Sequence, residues 1–329
     1  MMLSDSAVTT PAVDVSILLT SYNFRPFLRA AVESLLAQKT EFSFEIILID
    51  DASPDRSLEV LSDIQDPRLT VISHAENTGF AVSINEAFAL ARGEFLARLD
   101  GDDVWLDNYL QTLVSALKAN PTAVLAYGNV KTIDAYGQLG TLINKRPVLP
   151  SVRDEFENLL IMHHTCAPAM LGRLAAWRTL LPWQERFRSG LGDWHYNLEL
   201  AKLGPFVYCN HILAHYRVHA GGMHHAFIGN GVGERNTRFI LDLHLLELQR
   251  RNQAAKSKQI YAQHLVSLAG SHAYQGRGQD ARRLYFEALK RDWRSVFQRG
   301  VFLAAFGTIF FGANGYTALK RLLGRGAVN

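Results

Sequence analysis

The chain reads as an α/β protein: a mostly parallel sheet flanked by helices, with an α-helical extension at its C-terminal end. Three observations predict this. Short apolar runs of strand type alternate with segments of helical apolar spacing between residues 15 and 127. Each well-marked run ends in polar or acidic residues, as expected where strands open onto a ligand-binding rim. From Asn236 onward helical spacing takes over.

Val15–Thr20 is the first strand, closing in Ser21-Tyr22-Asn23, and a helix follows over 26–38, with apolar positions 27, 28, 31, 32, 35 and 36. Glu45–Ile49 is the second strand, ended by Asp50-Asp51. Ser53-Pro54 is a good N-cap and first-turn pair, predicting a helix to about Ile64. Leu69–Ile72 is the third strand. Asn77-Thr-Gly79 turns into a helix over 80–91, with Gly93 as its stop. Phe95–Leu99 is the fourth strand, Leu106–Ala119 a helix ended by Asn120-Pro121, and Ala123–Tyr127 a fifth strand. Right-handed crossovers would bring Thr20-Ser-Tyr22, Asp50-Asp51 and Asp100-Gly-Asp102 to one rim.

That rim is acidic. In Asp100-Gly101-Asp102-Asp103, positions two apart on a strand project the same way, so Asp100 and Asp102 point together. Two aligned carboxylates repel each other unless a cation lies between them, and Mg²⁺ or Mn²⁺ is the usual occupant, often sharing its oxygen ligands with phosphates. An acidic surface turn is the plainer alternative. No GxxxxGK[ST] occurs and no GxGxxG follows the first strand, which argues against a P-loop NTPase and a dinucleotide-dependent dehydrogenase.

The chain has 329 residues and only two cysteines, Cys166 and Cys209, too few for a disulfide framework or a structural zinc site. A reducing cytosolic setting fits. The first residues, MMLSDSAVTTPAVD, lack the basic and apolar regions of a signal peptide and read as a loose leader. The net charge of +3 hides an asymmetry: residues 250–329 hold 14 Lys and Arg against 3 Asp and Glu, and residues 1–249 hold 20 against 28. Such a basic appendage suggests an anionic partner. The uncharged run Gly300–Leu319, bracketed by Arg299 and Lys320-Arg321, favours an anionic membrane surface over nucleic acid. Its length would reach about 30 Å as a helix, but its glycines favour a segment lying on or re-entering the membrane over a true span. A buried core helix is the third reading.

Taken in this order and spacing, VSILLTSYN, EIILIDDASPD, ENTGFAVSINEAFALARGEF and LDGDD resemble the family 2 glycosyltransferases of GT-A fold, over residues 13–225. The resemblance implies an inverting, metal-dependent enzyme that takes a nucleotide-activated sugar, commonly UDP-linked. Carried over by position, it implies that Thr20 and Tyr22 flank the base and that Asp51 hydrogen-bonds it. Gly79 and Asn85 would line the nucleotide pocket. Asp100 would face the ribose and the metal shell, and Asp102 would ligate Mg²⁺ or Mn²⁺.

Past Tyr127, GNVKTIDAYGQLG reads as a hairpin around Asp134–Gly137, followed by a helix near 154–162. His163-His164-Thr-Cys166 invites a zinc reading, but neighbouring side chains on a strand point apart and no second ligand pair lies nearby. Gly190-Leu-Gly-Asp193-Trp-His resembles the family's acidic stretch at a helix start. The family often places Glu before this Asp; Gly192 stands there instead, leaving Asp193 as the general base that inverting transfer needs. A helix N-cap is its plainer role. His215-Tyr-Arg217-Val-His219 resembles the family's closing strand, which makes His219 a candidate third metal ligand and Arg217 a diphosphate contact or structural pair. The glycine-rich stretches 221–222 and 229–233 suggest a lid that excludes water.

The expected organisation is a catalytic domain over 13–235, divided near 128 into a nucleotide-sugar half and an acceptor half with the lid. A helical hairpin over 236–295 follows, and a membrane-associating tail over 296–329. The expected activity is sugar transfer to a hydroxyl of a growing cell-surface glycan or lipid-linked acceptor at the inner face of the plasma membrane. A non-catalytic nucleotide-sugar binding module and a sugar nucleotidyltransferase are the alternatives.

Overall fold

The computed structural model describes residues 13–143, 151–188, 190–219, 231–250 and 252–296. Most of the expected lid, residues 221–230, and the apolar tail over 300–319 lie outside them. The described residues up to 219, apart from 160–162 and 190–191, form one compact unit. Those two short pieces belong with residues 231–296 in a second unit.

In the first unit the strands β1 (Val15–Ser21), β2 (Phe44–Asp50), β3 (Leu69–Ser73) and β4 (Phe95–Asp100) are all parallel, in the order β3-β2-β1-β4. Apolar side chains alternate faces along them. On one face, Val15, Ile17 and Leu19 share a core with Leu28, Ala31, Val32 and Leu35 of α1 (Leu28–Leu36) and with Leu110, Leu113, Val114 and Leu117 of α3 (Tyr109–Ala119). Helix α2 (Phe80–Leu90) packs over β1 and β2 from the other side, burying Ala81, Ile84, Ala87 and Phe88. The chain moves outward from β1 to β3 and then returns to place β4 on the opposite flank of β1. That reversal opens a crevice at the carboxyl ends of β1 and β4.

The Ser53-Pro54 helix does not form. A 3₁₀ turn covers Ser57–Leu61 instead. Ser53 serves the preceding strand, donating its amide and hydroxyl to Asp50 at 3.0 and 2.6 Å, so its capping atoms are spent there.

Beyond β4 the sheet becomes mixed. A short β5 (Val104–Trp105) precedes α3, and β6 (Leu125–Ile133) makes the expected hairpin with β7 (Leu139–Ile143). Then come β8 (Ser151–Arg153), α4 (Phe156–Ile161), β9 (Met170–Arg173), α5 (Leu174–Arg178), α6 (Gly192–Leu203) and β10 (Phe206–Arg217). The four-residue β9 runs antiparallel between β4 and β6, pairing Phe95 with Arg173 and Leu125 with Gly172. Sequence patterning gives no sign of so short a strand. β10 lies parallel to β6 and carries the chain back to the acidic rim.

The second unit holds α7 (Val232–Arg250), α8 (Ala254–Tyr274) and α9 (Gly278–Val296). Helices α8 and α9 are joined through Gly276, whose φ of +76° suits a residue without Cβ. They bury Leu265, Ala269, Leu284 and Ala288. Arg238 bridges Glu234 and Glu287, while Arg283 also reaches Glu234 at 2.7 Å.

Candidate active site

Strand register builds the rim. Thr20 pairs with Asp100 across β1 and β4, and Ser21 pairs with Asp50 across β1 and β2. The three polar strand ends expected to converge therefore do. Thr20 is nearly buried and its hydroxyl lies 3.5 Å from the Asp100 carboxylate, whereas Tyr22 is exposed just past the strand.

Asp51 organises the next turn of chain rather than the turn before Pro54. Its Oδ1 accepts from the Thr78 amide at 2.8 Å and the Thr78 hydroxyl at 2.9 Å, and its Oδ2 accepts from the Gly79 amide at 2.8 Å. His74 Nδ1 lies 2.8 Å from Oδ1 as well. Burial acts to raise this carboxyl, but the hydrogen bonds from His74, Thr78 and Gly79 outweigh it and hold the group below the usual carboxylate range. Gly79, at φ +91°, sits at the N-terminus of α2 with open space where a Cβ would be.

At the tip of β4 the three carboxylates separate. Asp100 Oδ1 accepts from Arg98 at 3.2 Å. Asp102 Oδ2 lies 3.0 Å from His219 Nε2, and the His219 ring leans on Phe27 with centroids 4.9 Å apart. Burial, and then the neighbouring Asp100 charge, push the Asp102 carboxyl up, while His219 pulls it back. Asp103 is enclosed entirely. Its Oδ1 accepts the Arg217 amide at 2.7 Å, and its buried Oδ2 has no hydrogen-bond partner among the described residues. Burial, then the Asp102 and Asp100 charges, raise Asp103 well above the ordinary carboxylate range.

Arg217 settles into a structural position. Nε donates to the Asp102 carbonyl at 2.7 Å and one terminal nitrogen to the Asp134 carbonyl at 2.9 Å, with the guanidinium 4.6 Å from the Phe27 ring centre. It thus ties the acidic turn to the β6–β7 hairpin. Of its two expected roles, this geometry serves the structural one.

Asp193 lies in the first turn of α6, one residue inside the helix; Gly192, not Asp193, begins it. The N-cap expectation is corrected accordingly, although Asp193 still caps locally, accepting the Trp194 amide at 2.9 Å. Gly192 has a steric cause. A Cβ there would stand 2.9 Å from Trp183 Cε2 and 3.0 Å from Phe187 Cβ. Trp183 is buried and stacked on Tyr196 at 4.2 Å, so it cannot yield, and the family's usual Glu has no room.

Asn85 is what holds Trp183. Its side-chain amide donates to the Trp183 carbonyl at 3.0 Å, and its oxygen accepts the Trp183 amide at 2.6 Å. Both polar ends are taken by one peptide segment, so Asn85 fixes a wall rather than presenting a free group.

Asp193 shares a cavity with Arg98, Phe88, Met170, Trp177 and Trp183. Arg98 is a residue of the candidate site that the sequence pattern did not single out. Its guanidinium faces the Phe80 and Trp183 rings at 5.3 and 5.9 Å and reaches Asp100, linking the acidic rim to the cavity that holds Asp193. A signal was present, since residues 98 and 100 share one face of a strand. His163, in the segment already singled out in the sequence, lies beside Asp193: its Nε2 is buried 3.9 Å from Asp193 Oδ2. Burial holds this imidazole below its ordinary range despite the facing carboxylate. His164 turns instead to Glu155 at 3.5 Å, so the two neighbouring histidines part as expected.

The sheet order and its acidic crevice define a GT-A type α/β fold, and comparison with solved structures agrees. S. aureus TarS 1–349 in complex with UDP-GlcNAc superposes with a TM-score of 0.63 at 16% identity, covering 94% of this chain and 91% of that one. Residues 16–181 match the description of glycosyl transferase family 2, and the chain belongs to that family. It is 30% identical over 210 residues to the putative teichuronic acid biosynthesis glycosyltransferase TuaG of Bacillus subtilis, covering 62% of this chain and 79% of the relative. An uncharacterized glycosyltransferase of Nostoc is 28% identical over 231 residues, with 64% of this chain and 66% of the relative covered. The E. coli glucosyltransferase WfgD, which uses UDP-Glc, is 31% identical over 129 residues, 39% of this chain and half of the relative. Family membership carries the general activity, transfer of a sugar from a nucleotide sugar. No helix among the described residues is long and apolar enough to cross a membrane.

Proposed function

We propose that the chain is an inverting glycosyltransferase that takes a UDP-linked sugar and delivers it to a hydroxyl of a cell-surface glycan or lipid-linked acceptor. The observation that carries this reading is Arg98. It joins Asp100 at the tip of β4 to the cavity lined by Asp193, so a rim suited to a diphosphate and a group suited to activate an alcohol belong to one continuous site.

The residues fit a divalent cation. Three carboxylates crowd one turn, Asp102 is raised by burial and by a like charge, and a histidine two residues past a distant strand closes on it. Asp102 and His219 would hold Mg²⁺ or Mn²⁺, with the remaining positions left to phosphate oxygens and water. Bound there, the ion would neutralise charge on the departing diphosphate.

The protein's own groups do the rest. Asp51, through the Thr78–Gly79 turn, and the end of β1 at Thr20 and Tyr22 bound the nucleoside. Arg98 supplies positive charge beside the sugar-phosphate linkage and keeps Asp100 turned toward the rim. The rings of Trp177 and Trp183 give the cavity an apolar wall that excludes water, which would otherwise consume the activated sugar. Asp193 accepts the acceptor hydroxyl proton as its oxygen attacks the anomeric carbon from the face opposite the leaving group. The basic C-terminal region would hold the chain against the anionic inner face of the plasma membrane. TuaG is named for teichuronic acid biosynthesis and WfgD for glucosyl transfer to a diphosphoundecaprenol-linked GlcNAc, which supports a glycan or lipid-linked acceptor here.

The test is the anomeric configuration of the product, followed by NMR during turnover of a UDP-sugar. Inversion is expected. A retained configuration would remove Asp193 from the role of base.

A further inference from the structure

His74 lies one residue past β3, at the same edge as the other rim groups, and no part of the mechanism above uses it. Both of its ring nitrogens meet carboxylates. Nδ1 is 2.8 Å from Asp51 Oδ1, and Nε2 is 2.9 Å from Glu86 Oε2 on α2. A neutral imidazole carries a single N–H, so one of these contacts would set a ring lone pair against a carboxylate. Only the imidazolium satisfies both. The ring and Asp51 are nearly buried, with side chains 12% and 7% exposed, whereas Glu86 is 41% exposed. Charged groups reach the ring from two elements, Asp51 at the end of β2 and Glu86 on α2, and the Thr78 hydroxyl adds a third polar contact at 3.1 Å.

We propose that His74 is a positioning residue: as an imidazolium it locks Asp51 against α2, holds the Thr78–Gly79 turn in its nucleoside-receiving shape, and weakens nucleoside binding when its proton leaves. This rests on the reading that Asp51 bounds the nucleoside. The physical sequence is short. When the proton is lost, exposed Glu86 turns to water, and Asp51 keeps only a neutral partner. Its charge then stands uncompensated beside the turn whose two amides it orders, and a charge-assisted bond is replaced by a weaker one. Burial disfavours the charged ring, but the bonds to Asp51 and Glu86 outweigh it and raise the group above its ordinary value. The lock is therefore complete below the ordinary imidazole range and is lost as pH rises through the raised value.

Uridine is the probe of choice, because it has no phosphate to titrate and calls for no metal. Its affinity would be measured by NMR against pH in the full-length protein, alongside the His74 ring shifts and the Thr78 and Gly79 amide shifts. The comparison is with Glu86→Gln, a surface change outside the proposed binding machinery. Expected are a His74 midpoint above that of a free imidazole and uridine affinity falling about five- to tenfold through that midpoint, with the two amides moving in step. In Glu86→Gln all of these midpoints should shift to lower pH together, a displacement that a purely structural histidine would not produce. Amides unmoved through the His74 midpoint, or a ring midpoint that shifts in Glu86→Gln while affinity stays put, would overturn the proposal. Amides that track His74 with no uridine bound at any pH would reject the nucleoside reading and leave the lock itself standing.

Discussion

His219 Nε2 stands 3.0 Å from Asp102 Oδ2, although 117 residues separate them in the chain. The contact depends on β10 running parallel to β6 back toward the rim and on Arg217 gripping the Asp102 carbonyl two residues before His219. A strand and a buried guanidinium thus deliver the imidazole to the acidic turn. Two donors of this kind suit a cation that completes its shell with phosphate oxygens.

Asp102→Asn should lower Mn²⁺ affinity by about 100-fold, and His219→Ala by about tenfold or more, both read by titration of the protein with Mn²⁺. Because Asp102 is raised by burial and by Asp100, the amide replacement should not destabilise the fold. An unchanged melting temperature would check this. Undiminished Mn²⁺ binding by Asp102→Asn would remove the carboxylate from the metal site.

Asp193→Asn should reduce kcat by about 10²–10⁴-fold while UDP affinity stays within about twofold. The variant keeps the side-chain oxygen that accepts the Trp194 amide, so α6 should remain intact by circular dichroism. A full transferase rate would dismiss Asp193 as the base.

Gly192→Ala is expected to destabilise the protein by about 1–3 kcal/mol, since the added methyl meets Trp183 and Phe187 in a packed wall. Thermal unfolding measures it. Relief of the clash in a Gly192→Ala, Trp183→Leu double variant would show that the indole is the obstacle.

Asn85→Ala should cost about 1–3 kcal/mol through the two lost bonds to Trp183. UDP affinity should be nearly unchanged. The opposite result, stability kept and affinity lost, would return Asn85 to the nucleotide pocket.

Much of this fold was legible because its first half obeys local rules. The apolar runs at 15–20, 45–49, 69–72 and 95–99 each became a strand, and their polar ends met by register, as parallel alternation requires. The rest depended on contacts that no local pattern records. Strand β9 has four residues, and it gains its place from pairing with β4 and β6 rather than from propensity. The Ser53-Pro54 helix failed because Asp50 took the Ser53 side chain. Among the candidate site residues, the positions of Asp51 and Asp102 at the rim were legible from the strand ends they follow. Asn85 and Arg217 carried the right spacing, yet their polar atoms went to backbone groups of distant segments. His74 and Arg98 were visible in principle, one just past a strand end and the other two residues before Asp100, but each has meaning only through its partners in space.

The central claim is that the acidic tip of β4 and Asp193 act on one activated sugar. Incubating the protein with a panel of nucleotide sugars and an acceptor glycan, with Mn²⁺ or with chelator, tests this most directly. The account predicts nucleoside diphosphate release that requires Mn²⁺ and acceptor, and is lost in both Asp102→Asn and Asp193→Asn. Release of pyrophosphate, or binding of a nucleotide sugar with no turnover under any of these conditions, would contradict it.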